Sequence, residues 1–156
     1  MTKDMGFYKG VNLGGWISQF DVYSEEHFST FIQEEDIKRI KGMGFDHVRV
    51  PVDYNVLETE EGEVIESGYQ HLVDCLNWCK KYDLRMLIDV HEVYGYSFDP
   101  LKDMDREVFF YDEAMQARFF KLWENIATRF GSEYERVAFE LLNEVVLSEV
   151  YEAWNN

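Results

Sequence analysis

Two hydrophobic periods take turns along this chain. Apolar runs with alternating polar positions read as strands at "FYKGVNLG" (7–14), "HVRVPV" (47–52), "RMLIDVH" (85–91) and "RVAFELLNE" (136–144). Between them the spacing stretches to the three-and-four pattern of helices. Gln33 to Met43 carries Ile37 and Ile40 on one face, with Glu34, Glu35 and Asp36 in the first turn and Gly44 as its stop. A second helix is predicted over "YQHLVDCLNWCKKY" (69–82). A third is capped by Asp112 and lines up Met115, Phe119, Leu122, Trp123, Ile126 and Phe130 before Gly131. Loops are expected over 23–30 and 92–111, a turn at Gly14-Gly15, and a last short helix over 147–154. Pro51, which has no amide hydrogen to donate, is read as the carboxyl end of the second strand.

Strands separated by helix-length crossovers pair in parallel, with helices covering the sheet. The pattern is an α/β fold of about four βα units, and residues 1–156 read as one domain without repeat or linker.

Side chains alternate across a strand, so residues of one parity share a face. Arg49 of the second strand, Asp89 and His91 of the third, and Glu140 and Glu144 of the fourth collect on one face, towards the strands' carboxyl ends. An unpaired buried charge costs several kcal/mol, so such a group is mutually paired, hydrated or functional. Arg49 with Asp89 or Glu140 is the expected pair. Arg49 either neutralises an interior carboxylate or serves a site, and His91 either caps a strand end or joins that site. His27, His47 and His71 read as structural or surface residues.

Composition narrows the function classes. With 46% hydrophobic and 17% aromatic residues the chain is expected to fold. Its net charge of −16, from 31 acidic against 15 basic side chains, disfavours nucleic acid and anionic membranes, while a neutral sugar suits an aromatic-rich surface. No stretch has the roughly 20 apolar residues of a membrane span, and Met1 to Asp4 does not open a signal peptide, so the chain reads as soluble, in a compartment the sequence does not specify. Cys75 and Cys79 share a helix face with Leu72 and Leu76 and read as buried thiols. No metal set or cofactor motif stands out. "HEVYG" (91–95) begins like a zinc-protease motif but places Gly95 where the second histidine is needed, at a strand end and not on a helix.

The fourth strand ends in Asn143-Glu144, an amide able to bond a sugar hydroxyl beside a carboxyl able to protonate a leaving oxygen. Glycosidic bond cleavage divides its labour in this way.

These residues carry a resemblance. "GVNLGGW" (10–16), "DIKRIKGMGFDHVRVPVDY" (36–54), "LIDVH" (87–91) and "FELLNE" (139–144) stand in the order seen in family 5 glycoside hydrolases, and the chain resembles the amino-terminal half of such a cellulase-like enzyme. The resemblance implies half of a TIM (β/α)8 barrel, from enzymes that hydrolyse β-linked glycans with retention. It implies that Glu144 is the general acid/base, that Asn143 contacts the sugar 2-hydroxyl, that Arg49 lies near the nucleophile, and that His91 flanks the cleavage subsite. No cofactor is implied.

Departures accompany the matches. The Pro-Gly that often follows the histidine is replaced in "LIDVHEVYGYS", and Gln33 occupies a helix-cap position. The family's nucleophilic glutamate of the seventh strand, His-x-Tyr of the sixth and tryptophan of the eighth have no counterpart.

Four strands alone leave two sheet edges, so the half barrel is expected either to homodimerise or to complement a separate carboxyl-terminal half. Three functions follow: the acid/base half of a β-glucan hydrolase, a glucan-binding module that stacks sugars on Trp16, Tyr94, Tyr96 or Trp154, or a self-assembling half barrel without activity.

Overall fold

The computed structural model describes residues 5–155. Met1 to Asp4, and with them the reading of the chain's start, lie outside the described residues. Four parallel strands form one sheet in chain order: β1 (Gly10–Asn12), β2 (His47–Asp53), β3 (Arg85–Glu92) and β4 (Val137–Glu140). The helices are α1 (Glu25–Thr30), α2 (Glu34–Gly42), α3 (Tyr54–Leu57), α4 (Glu66–Lys81), α5 (Glu113–Phe130) and α6 (Tyr151–Asn155).

The parity of β2 and β3 divides the molecule into two faces. Val48, Val50, Val52, Met86, Ile88 and Val90 are all 0% exposed and turn towards the helices. There they meet Ile37 of α2, Leu72, Cys75 and Cys79 of α4, and Leu122 and Ile126 of α5, all within one core. Each fully buried aliphatic side chain contributes about 1.5–3 kcal/mol. Both cysteines are free thiols in that core, as the helical spacing predicts. The opposite face holds His47, Arg49, Arg85 and Asp89 and is where charge collects.

The predicted α5 stripe is realised, and Asp112 caps the helix by accepting from the amides of Ala114 and Met115 at 2.9 Å each. At α2, the Gln33 amide donates to the Asp36 carboxylate at 3.0 Å, so the reciprocal half of a cap replaces the serine or threonine that usually begins a helix. Gly68 lets α4 lie directly on α3: a Cβ there would stand 1.8 Å from the Val56 carbonyl oxygen.

Several expectations need correction. The span 23–30 is not all loop, because Ser24 caps the short helix α1, which buries Phe28. The first strand is three residues long and the fourth stops at Glu140. Pro51 does not end β2, which continues to Asp53. In a parallel ladder a residue's amide and carbonyl point to the same side. The Arg49 carbonyl accepts from Leu13 and the Asp53 amide donates to Ile17, so Pro51 between them faces the gap where β1 has already ended. Its missing N–H costs no ladder bond. The last helix is also shorter than 147–154 predicts, a single tight turn at Ser148–Val150 preceding α6.

β1 and β4 are the edges of the sheet. On the β4 side Phe139 and Leu141 stay 38% and 55% exposed, and the Trp123 indole partly closes the edge by donating to the Leu141 carbonyl at 3.0 Å. No helix among the described residues is long and apolar enough to cross a membrane.

Candidate active site

Arg49 joins all four strand units. From the middle of β2 its Nε and Nη2 grip the two Glu140 oxygens of β4 at 2.8 Å each. Nη2 also lies 2.8 Å from Asp89 Oδ2 on β3 and donates to Asn143 Oδ1 at 3.0 Å. Nη1 donates to Asn12 Oδ1 of β1 at 3.0 Å. A planar guanidinium with five donors suits this multiple grip, whereas a lysine ammonium does not.

The charges respond as the contacts dictate. The paired Glu140 carboxylate keeps Arg49 firmly protonated, with Asp89 and then Glu144 adding to the same field against the cost of burial. Arg49 in turn holds Glu140 below the usual carboxylate range. Asp89, completely buried, is pushed up by loss of solvent despite its contacts to His91 and Arg49. His91 Nδ1 lies 2.5 Å from Asp89 Oδ2, which fixes Nδ1 as the protonated ring nitrogen and orients the imidazole, and Phe98 packs edge-on against the ring at 5.1 Å.

Asn143 and Glu144 do not follow the alternation expected of a strand. Once β4 ends, Leu142 turns into the core and Asn143 reaches Arg49, although extended backbone would place Asn143 opposite Glu140. The Asn143 amide still donates to the Val90 carbonyl at 3.1 Å, and its side-chain Nδ2 is buried without an acceptor among the described residues. Glu144 then takes a positive φ of 47° and leaves its side chain exposed. The break in alternation is what brings the Asn143 amide to Arg49, and the Glu144 charge still acts on the same arginine.

Of the aromatic platforms expected from the sequence, Trp16 and Tyr96 are corrected. Trp16 is 1% exposed and its indole donates to the Phe28 carbonyl at 2.7 Å, so it is a core residue with a satisfied polar end. Tyr96 is 0% exposed. Trp154 is half-buried against Phe110 and Phe119. Tyr94 remains 37% exposed, with the Arg118 guanidinium 4.0 Å from its ring centre and Tyr54 edge-on at 6.0 Å.

Sequence reading missed Asn12 and Asp53. A polar residue closing the short strand "GVN" was the available signal for the first, and the residue after "RVPV" for the second. Asp53 is 7% exposed and accepts from the Gln19 amide at 3.2 Å. Burial pushes its carboxyl up to about 6, with the Glu92 charge adding to the effect, while the Gln19 amide and His91 oppose it. Folded Asp53 therefore keeps a proton that the unfolded chain gives up near its ordinary value of 3.8. Its contribution to stability is complete below that value and is lost as pH rises towards 6, a change on the order of 3 kcal/mol. Urea unfolding of Asp53→Asn is expected to lack this fall between pH 4 and 7.

Among the described residues no three His, Cys, Asp or Glu side chains gather as a metal site. "HEVYG" lies at the end of β3 and the turn after it, off any helix.

The pattern of cellulase, glycosyl hydrolase family 5, matches residues 9–156. The chain belongs to glycosyl hydrolase family 5. It is 45% identical over 155 residues to Cellodextrinase A of Ruminococcus flavefaciens, covering 99% of this chain and 45% of that protein. It is 48% identical over 144 residues to Endoglucanase C of Acetivibrio thermocellus, covering 91% of this chain and 41% of that one. The fold superposes on a family 5 enzyme from Prevotella bryantii with a TM-score of 0.74 at 22% identity, covering 97% of this chain and 48% of the other. The family 5 chain thus spans less than half the length of these relatives, and its four parallel βα units match part of their barrel.

Proposed function

We propose that this family 5 chain supplies the acid/base side of a β-glucan hydrolase. The observation that carries the reading is Asn143, at the carboxyl end of β4, bonded to Arg49 of the Arg49–Asp89–His91 network, with Glu144 next to it in the chain and its charge acting on the same arginine. Parallel barrels bind their substrates at that end of the strands. The relatives named Cellodextrinase A and Endoglucanase C support a β-linked glucan as the substrate class.

Each group has a task that its surroundings explain. Glu144, exposed at the strand end, protonates the glycosidic oxygen as the bond breaks and then withdraws a proton from the incoming water. Asn143 has its Oδ1 occupied by Arg49, which leaves Nδ2 to donate to a sugar hydroxyl. His91, oriented by Asp89, lines the subsite where the bond is cut. Arg49 adds positive charge that favours an ionised nucleophile nearby. Tyr94, with one face held by Arg118, is a stacking surface that stays exposed.

Retention requires a second carboxyl about 5–5.5 Å from the first. The resemblance assigns it to a seventh strand, so catalysis rests on a barrel completed at the edges of β1 and β4. A second copy of this chain, pairing β4 to β1 twice about a two-fold axis, fits those edges but sets its own Glu144 after the strand in eighth position. A carboxyl-terminal half sets a nucleophile in seventh position.

Sedimentation with β-glucan hydrolysis measured on the same fractions tests the reading. A dimer with little hydrolysis is expected, and hydrolysis on adding the carboxyl-terminal half of the Acetivibrio relative. A well-folded monomer refutes edge-to-edge assembly, and failure of the added half to restore cleavage refutes the catalytic assignment.

A further inference from the structure

The geometry points to Tyr96 as the positioning residue of the general acid: its buried phenol holds the backbone on which Glu144 is carried and so sets where the carboxyl stands. This inference rests on the acid/base role proposed for Glu144. Tyr96 lies outside the strands, buried in the core, and its hydroxyl spans to the segment after β4. It donates to the Glu144 carbonyl at 2.6 Å and accepts from the Val146 amide at 3.3 Å.

Glu144 needs such a restraint. Its φ of 47° lies in the left-handed region that side-chain-bearing residues seldom occupy, because Cβ there crowds the following carbonyl. Such a conformation persists where the surroundings over-determine it. Here they do so from both sides. One residue earlier, the Asn143 amide is tied to the Val90 carbonyl of β3. At Glu144 itself and two residues later, both backbone partners are the Tyr96 hydroxyl. Relaxed to extended backbone, Glu144 would regain strand alternation with Asn143 and its carboxyl would turn away from the side that Asn143 shares with Arg49.

The phenol is itself immobilised. Val93 and Tyr96 exchange both backbone hydrogen bonds, at 3.1 and 3.2 Å, around a tight turn in which Gly95 takes φ 89°. The ring packs edge-on against Phe110 at 5.2 Å and beside Phe109 at 6.0 Å. The aromatic cluster therefore acts through one hydroxyl. This accounts for a tyrosine where phenylalanine would fill the same apolar space.

Tyr96→Phe keeps the ring and removes both hydrogen bonds. Two readouts, one on this chain and one on the assembled enzyme, test the inference, with Tyr111→Phe, an exposed tyrosine at 63%, as the control. In labelled protein, the three-bond amide–Hα coupling and the Cα and Cβ shifts of Glu144 report its φ. Tyr96→Phe is expected to move them towards negative φ and to speed Val146 amide exchange about tenfold. In the assembled enzyme, a phenyl β-cellobioside, whose leaving group needs a proton, is expected to lose about tenfold relative to a dinitrophenyl β-cellobioside, which needs none. Both rates come from one preparation, so any loss of folded protein cancels from their ratio.

An unchanged Glu144 signature overturns the inference, and so does a changed signature with an unchanged ratio. If Glu144→Gln also leaves the ratio unchanged, the acid/base reading falls instead, while the NMR signature still decides whether Tyr96 sets the Glu144 backbone.

Discussion

Glu144→Gln is expected to lower β-glucan hydrolysis by the assembled enzyme by about 10²–10⁴-fold, the usual contribution of a positioned general acid. Glutamine keeps the length and hydrogen-bonding shape of the side chain and takes away the transferable proton. Because Glu144 is exposed and its side chain makes no intramolecular hydrogen bond among the described residues, neither stability nor sheet geometry should change. Affinity for an unreactive cello-oligosaccharide should stay within about twofold, since the loss falls on the transition state and not on the ground state. Initial rates of reducing-sugar release and isothermal titration on the same preparations separate the two. A comparable fall in affinity would assign Glu144 to binding and not to proton transfer.

Arg49→Met produces the second large effect, on stability. Methionine fills similar volume but strands Asp89, which is 0% exposed and is paired with Arg49 and His91 among the described residues. It also frees Glu140 from its two-pronged contact and Asn143 from its donor. Breaking a buried ion pair from one side costs about 3–5 kcal/mol, because the remaining charge is left without compensation. The double variant Arg49→Met, Asp89→Asn should recover part of that loss, and chemical denaturation of the four proteins of this cycle measures the coupling. Additive losses would mean that Arg49 and Asp89 do not stabilise each other.

Much of this architecture was legible from residue order. The repeated strand-then-helix rhythm gives the parallel sheet, the Met115-to-Phe130 stripe gives α5, and strand parity places Arg49, Asp89 and Glu140 on one face. Chemistry carried by regular elements is readable because its period is fixed. What escaped reading lies where the period stops. Parity fails at Leu142, where β4 has ended, so the side of the sheet that Asn143 serves is set by its contact with Arg49 and not by alternation. Trp16 follows a glycine turn and looked like a surface platform, yet the Phe28 carbonyl satisfies its indole and allows full burial. Asp53 and Tyr96 act through contacts 34 and 48 residues away in the chain, which no local pattern encodes.

The sheet order β1-β2-β3-β4 is also the order of synthesis. Each strand docks beside the one made just before it, so no segment waits for a distant partner before it can pair. Ladder partners stand 37 to 51 residues apart, so each closure waits for its own crossover helix but for no later strand. On the ribosome the first three βα units can therefore assemble as they emerge, and the Arg49 side chain stands ready as an electrostatic template against which Glu140 and Asn143 register β4 on arrival.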